Sequence, residues 1–311
     1  MRNANGRRKR TELMPFGRLY VTIDTEMDAD IHWKKGRPEA FTSVLEGIPK
    51  LLRPIWDRCK ICPIYFVSPE VVKNDECCRV LREEIDKGAI IGAHLHPEYI
   101  EPDTIAPAEV EREVFPCRDL DRNTEYIKMK NLRDIIEERL GVRSVWYRAA
   151  RFGADTESLK MLAELGFKAD SSFTPQIDWS DRGGVDHSSV RIGRQRIDCG
   201  EGKTITEFPV TIKGKRFGIL RRLLPDNWLF YRWVRPTHMT YIEERWLLRE
   251  LRKEGIKDIV MMFHSMEVMV GKTPYVRNRL MQKYYLFRLE KTAEYARKLG
   301  YVSYREKQRR G

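Results

Sequence analysis

The chain has 311 residues, with 58 Lys and Arg against 46 Asp and Glu, a net charge of +12, and 41% hydrophobic residues. That length holds one large domain, and no linker-like stretch divides it. No apolar run reaches the roughly 18 residues of a membrane-crossing helix, and the basic start Met1–Arg10 lacks the apolar stretch of a secretory leader. A cytoplasmic location is therefore expected, and the six cysteines (59, 62, 77, 78, 117, 199) read as reduced thiols. There is no Gly-rich phosphate loop and no serine nucleophile elbow.

In chain order, Leu19–Val21 reads as a strand that runs into Thr22-Ile23-Asp24-Thr25-Glu26. Side chains alternate along a strand, so Asp24 and Glu26 project to one side. Ser43 to Asp57 carries Val44, Leu45, Ile48, Leu51, Leu52 and Ile55 on a helical stripe, and Asp75 to Lys87 is a second helix stopped at Gly88. Ala89–Ile91 then runs into Ala93-His94-Leu95-His96-Pro97, again with two ligand-type residues at alternate positions. Asn131 to Leu140 is a helix closed by Gly141, and Ser144–Tyr147 a strand that runs into Arg148. The helix Asp155 to Leu165 precedes a strand, Gly166–Ala169, that runs into Asp170-Ser171-Ser172. Thr240 and Glu243 have capping-box spacing at the start of a helix to about Glu254. Ile259–Phe263 runs into His264, Arg277 to Leu299 is the last long helix, and Tyr301 to Tyr304 is a short strand.

Five strands thus end on Asp24, His94, Arg148, Asp170 and His264. Strand–helix alternation implies a parallel sheet covered by helices, and the expected fold is α/β: a single-domain, distorted (β/α) barrel of seven or eight parallel strands. In such a barrel the reactive residues sit at the C-terminal strand ends. Two imidazoles with carboxylates form the ligand mix of a catalytic divalent metal with an open position. Each signal alone is weak, since Asp-x-Glu is commonly a solvated turn and Arg148 reads equally as a structural ion pair. Their recurrence at successive strand ends carries the reading.

In this order the residues resemble the polysaccharide deacetylases of the NodB-homology group, carbohydrate esterase family four. The resemblance rests on Thr22-Ile23-Asp24-Thr25-Glu26, His94-x-His96-Pro97, Arg148-Ala149-Ala150-Arg151-Phe152-Gly153, Asp170-Ser171-Ser172 with Asp178-Trp179, and Phe263-His264-Ser265-Met266-Glu267. It spans residues 17–305, between a basic extension (1–16) and a basic tail (306–311). The branch is divergent: the family's histidines are usually spaced His-x-x-x-His, and Thr25 stands where its second Asp, a metal ligand, is expected. Glu26 is the replacement ligand, with Asp28 and Asp30 close enough to compete.

The resemblance implies removal of an N-acetyl group from an amino sugar of a polysaccharide or glycolipid. Asp24 would be the general base, His264 the general acid and Arg148 the residue that holds Asp24. Glu26, His94 and His96 would bind a divalent metal, zinc first, with cobalt, nickel, manganese or iron also compatible. Asp170, Arg151 and Trp179 would support the site or contact substrate. A non-catalytic glycan- or membrane-binding relative, or an amidase acting on a non-sugar C–N bond, would use the same barrel. A basic and aromatic insertion around 213–238 reads as a grip on an anionic membrane or lipid-linked glycan, or equally as a helix packed on the barrel. No nucleic-acid module is visible. His187 and His238 read as surface or packing residues, and His32 and Trp33 as groove-lining.

Overall fold

A computed structural model of the chain describes residues 14–36, 39–105, 114–214, 231–237 and 239–306. Most of the basic extension and tail, the insertion between 214 and 231, and His238 lie outside the described residues. The strands are β1 (Gly17–Thr25), β2 (Pro63–Val67), β3 (Ile90–Leu95), β4 (Trp146–Ala149), β5 (Ala169–Asp170), β6 (Gln195–Asp198), β7 (Thr204–Glu207), β8 (Ile212–Gly214), β9 (Tyr231–Trp233), β10 (Asp258–His264) and β11 (Tyr301–Ser303).

The main sheet runs β10-β1-β2-β3-β4-β5-β7-β6, with β11 beside the start of β1. Its first seven strands are parallel, and only β6 turns back. The sheet curls into a distorted barrel whose edges do not share a continuous ladder. The chain leaving β7 spans the gap: Phe208 N–H donates to Asp170 O, Val210 N–H to Phe173 O and Thr211 N–H to Val260 O. No helix among the described residues is long and apolar enough to cross a membrane.

Alternation along the strands sorts the side chains into two layers. One set, including Val21, Ile23, Tyr65, Ile91, Tyr147 and Phe263, packs beneath the helices. The other faces the barrel interior, where Tyr20, Ile64, Ile90, Trp146, Phe208 and Val260 fill the floor. The Arg148 guanidinium lies 4.3 Å from the centre of the Phe66 ring. Gly92 makes that stack possible, because a Cβ there would come 2.5 Å from the same ring.

Two differences from the expected elements have clear causes. The helix expected from Asn131 runs Arg122–Leu140, and its early turns bury Glu125 and Lys128, which an apolar periodicity does not register. Lys128 Nζ donates to the carbonyls of Pro97 and Ile100, tying down the loop behind the histidine motif. Strands β2, β6 to β9 lie outside the expected set. Of these, β2 is a short uninterrupted apolar run followed by Ser68, with no charged residue or histidine at its end.

Candidate metal centre and catalytic pocket

The β1 strand brings Asp24 to its end, and Glu26, two residues on, projects to the same side; both are buried. Thr25 between them turns away and donates to Ile23 O. In the parallel register Asp24 lies opposite His264 of β10, and His94 of β3 opposite Arg148 of β4. Residues of four strands distant in sequence are therefore brought together by strand pairing.

His94 Nε2 and His96 Nε2 each lie 3.2 Å from the same oxygen, Glu26 Oε1. His94 Nδ1 lies 3.0 Å from Arg148 O. With its proton on that side, Nε2 presents a lone pair to the cluster. Both ring nitrogens of His96 are buried without a hydrogen-bond partner of acceptable geometry, although Glu26 is close. Of the two ring nitrogens converging on Glu26 Oε1, only His94 Nε2 has hydrogen-bond geometry toward it, and His96 is left without a partner. The three atoms suit a cation: zinc bonds of about 2.0–2.1 Å at tetrahedral angles put neighbouring donors about 3.3 Å apart. Glu26, His94 and His96 thus form a three-residue set fit for a divalent ion.

The competing carboxylates are employed elsewhere. Asp28 accepts from Thr42 and Ser43 N–H at 2.9 and 3.1 Å. Asp30 is exposed and accepts from the N–H groups of His32 and Lys34. Burial alone would raise the Glu26 pKa, but Lys35 and the two imidazoles outweigh it and hold the carboxyl well below its usual range. Lys35 Nζ sits 3.0 Å from Glu26 Oε2 and 3.8 Å from Glu70. Glu26 is thereby divided, one oxygen toward the imidazoles and one toward a lysine.

Arg148 lies behind Asp24 and is fully buried. It donates to Asp24 Oδ1 at 2.6 Å, Thr22 Oγ1 at 3.0 Å, Ser171 O at 2.8 Å and Ser171 Oγ at 2.8 Å. His264, on the neighbouring strand, lies with its Nε2 4.0 Å from Asp24 Oδ2 and 3.8 Å from Glu26 Oε1. Its Nδ1 lies 3.0 Å from Glu267, a carboxylate that also accepts from Arg235 and Thr237. Arg235 in particular outweighs burial and keeps Glu267 ionised. Trp33, 37% exposed, packs its ring 5.3 Å from that of His264 and 5.7 Å from that of Tyr275, forming one rim of the opening.

The supporting residues separate. Arg151 pairs with Glu98 at 2.7 Å, and Glu98 lies 3.9 Å from His96 Nδ1, so Arg151 reaches the cluster through one carboxylate. Trp179 stacks on Phe152 and donates to Thr174, part of an aromatic wall with Trp233. Asp170 shares the outward face of the sheet with Tyr147 and Glu207, and holds Ser172 through both its N–H and Oγ. Within that motif it is Ser171 that touches Arg148. His187 is packed inside, its Nδ1 held by Thr174, and His32 is exposed on the rim loop.

Sequence reasoning passed over Lys35, Glu98, Ser171, Arg235 and Glu267 as participants. Glu267 had a signal, since its three-residue spacing from His264 forms a capping box at the strand end. Lys35 had none.

No family model matches the chain, and no curated protein matches it in sequence. Solved structures do match. A candidate polysaccharide deacetylase from Mycobacterium smegmatis is 18% identical, with 96% of this chain and 98% of that one covered and a TM-score of 0.54. Puue allantoinase is 14% identical (91% and 85% covered, TM-score 0.54). The 4-alpha-glucanotransferase of Thermococcus litoralis is 14% identical (94% and 40% covered, TM-score 0.55). At these identities the shared property is the fold, the NodB-type barrel anticipated from the motif order. Three different activities share it, so chemistry has to be read from the site.

Proposed function

We propose that the protein is a metal-dependent hydrolase that removes an N-acetyl group from an amino sugar of a polysaccharide or glycolipid. The observation that supports this is the position of His264, its Nε2 4.0 Å from Asp24 Oδ2 and 3.8 Å from Glu26 Oε1, the oxygen on which His94 and His96 converge at 3.2 Å. An ion held by Glu26, His94 and His96 would supply Lewis-acid polarisation of the acyl carbonyl and an activated water.

The remaining steps belong to the chain. Arg148 holds Asp24 Oδ1, which leaves Oδ2, on the His264 side, to accept the proton of the attacking water. His264, its Nδ1 anchored by Glu267, passes a proton from Nε2 to the departing amine. Glu267 stabilises the imidazolium that this exchange requires, and Arg235 and Thr237 keep Glu267 in place. Products are acetate and a free amino sugar. The cytoplasmic setting and the grip of segment 213–238 on a lipid-linked glycan belong to the same proposal.

Metal content by mass spectrometry, beside a His94→Ala/His96→Ala variant, tests it. About one transition-metal ion per chain, lost in the variant, is expected. Acetate release from N-acetylated oligosaccharides should disappear with it. A wild-type protein that takes up no added metal would overturn the hydrolase mechanism and favour a binding relative of the same fold.

A further inference from the structure

The exposed apolar side chains are unevenly spread over the barrel. Among the described residues twelve large hydrophobic side chains are exposed, and only Met14 and Val302 lie at the floor end. The other ten divide between the mouth and the flank beside it. Ile31 and Trp33 follow β1, Ile105 follows β3 and Val270 follows β10. The remaining six sit on two adjacent helices, Tyr241–Lys253 and Arg279–Lys298, in the halves that begin at the mouth.

Ile242 and Trp246 are one turn apart on the first helix; Leu280, Met281, Tyr284 and Phe287 form a stripe on the second. Ile242 and Leu280 are each 77% exposed, far beyond what packing requires. Tyr241 at the start of the first helix meets Phe287 of the second at 6.0 Å, and Tyr284 stacks on Phe287 within the second stripe at 6.4 Å. An apolar patch of this kind, flanked by polar residues, marks an interaction surface.

Charge identifies the partner. Arg249, Arg277, Arg279 and Lys283 are exposed around the patch, while Glu243 at its edge is paired with Arg232. Like charge disfavours a second copy as the cover. Aromatic and aliphatic side chains interleaved with Arg and Lys instead match an anionic lipid surface, where rings sit at headgroup level and cations meet phosphate.

We propose that the mouth face docks on an anionic membrane surface, with the beginnings of helices Tyr241–Lys253 and Arg279–Lys298 seated in the interface. Docking turns the pocket toward the lipid, so the acylated sugar reaches it while attached to its lipid carrier. That substrate assignment rests on the hydrolase reading; the docking does not.

Co-sedimentation of the full-length protein with phosphatidylcholine vesicles, with and without about 30% phosphatidylglycerol, separates the two. Binding should require the anionic lipid and weaken at least tenfold when salt rises to roughly 0.5 M. Leu280→Glu/Tyr284→Glu, both on exposed positions, should lower partitioning at least tenfold with an unchanged circular dichroism spectrum and unchanged acetate release from a soluble substrate. Equal partitioning of wild type and variant, or no partitioning of either, overturns the docking. So does a lipid-free dimer that the same variant dissolves, which would assign the face to a second copy. Lipid binding without acetate release would instead sink the hydrolase reading and leave the docking intact.

Discussion

Two buried carboxylates two residues apart, Asp24 and Glu26, meet opposite surroundings. The Asp24 side is saturated except at Oδ2, which faces His264 at 4.0 Å: Arg148 spends its donors on Asp24 Oδ1, Thr22 and Ser171, and Ser171 Oγ donates to Phe208 O. The Glu26 side is frustrated, with two imidazole nitrogens crowding one oxygen and both ring nitrogens of His96 left without a hydrogen bond. The contrast separates positioning from binding. A satisfied buried network is rigid and closed to ligands, whereas unpaired donors converging in a buried place mark where something else completes the set.

The sharpest way to break the comparison is to neutralise the saturated side. Asp24→Asn keeps the shape and removes the base, so kcat should fall by about 10²–10⁴-fold while metal content stays near wild type. Loss of metal in this variant would show that Asp24 is a ligand and that the two sides are one. Arg148→Met strands Asp24 and two hydroxyl groups in the barrel. Breaking a buried pair from one end costs about 3–5 kcal/mol, read as a lower denaturation midpoint in urea. A variant that loses activity at full stability would make Arg148 more than a positioning residue.

Glu244 offers a third environment, a buried carboxyl whose direct partner is the Thr292 hydroxyl, with Arg288 further off. Burial raises its pKa from 4.5 to about 7. Its contribution is therefore whole below pH 4.5 and is lost as pH rises through about 7. Glu244→Gln should leave stability unchanged at acid pH and add up to about 3 kcal/mol at pH 8, measured as the shift between urea curves at the two pH values. No difference between them would mean that Glu244 is charged in the fold and its environment misread.

Lys35→Met is the smallest expected effect. Lys35 occupies the Glu26 oxygen that faces away from the imidazoles. Its loss should change zinc affinity about 10–100-fold, measured by chelator competition, with little change in fold. Unchanged affinity would show that Glu26 is oriented by its backbone and the histidines alone.

Much of this was readable in the chain. Alternation at a strand end settles that Asp24 and Glu26, and likewise His94 and His96, face one way, because the backbone period is two wherever the strand lies. Helix limits at Gly88, Gly141 and Thr240 were readable because caps are local chemistry. The helix from Arg122 was only half visible, since its buried face includes Lys128, whose partners are carbonyls contributed by another loop.

By itself, then, the sequence determined the strand-end residues, the parallel α/β architecture and the donor types, all consequences of short-range backbone geometry. Tertiary structure alone decided which carboxylate faces the two histidines. Asp28 and Asp30 had the same chemistry as Glu26 and were equally near in sequence, but Asp28 caps the helix at Ser43 and Asp30 closes its own turn. It likewise decided that Ser171, not Asp170, meets Arg148, because the inward face of a two-residue strand is set by its neighbours' register. The lysine on Glu26 and the carboxylate on His264 complete the list. Such partners are fixed by where distant loops land, a long-range packing outcome that no local pattern encodes.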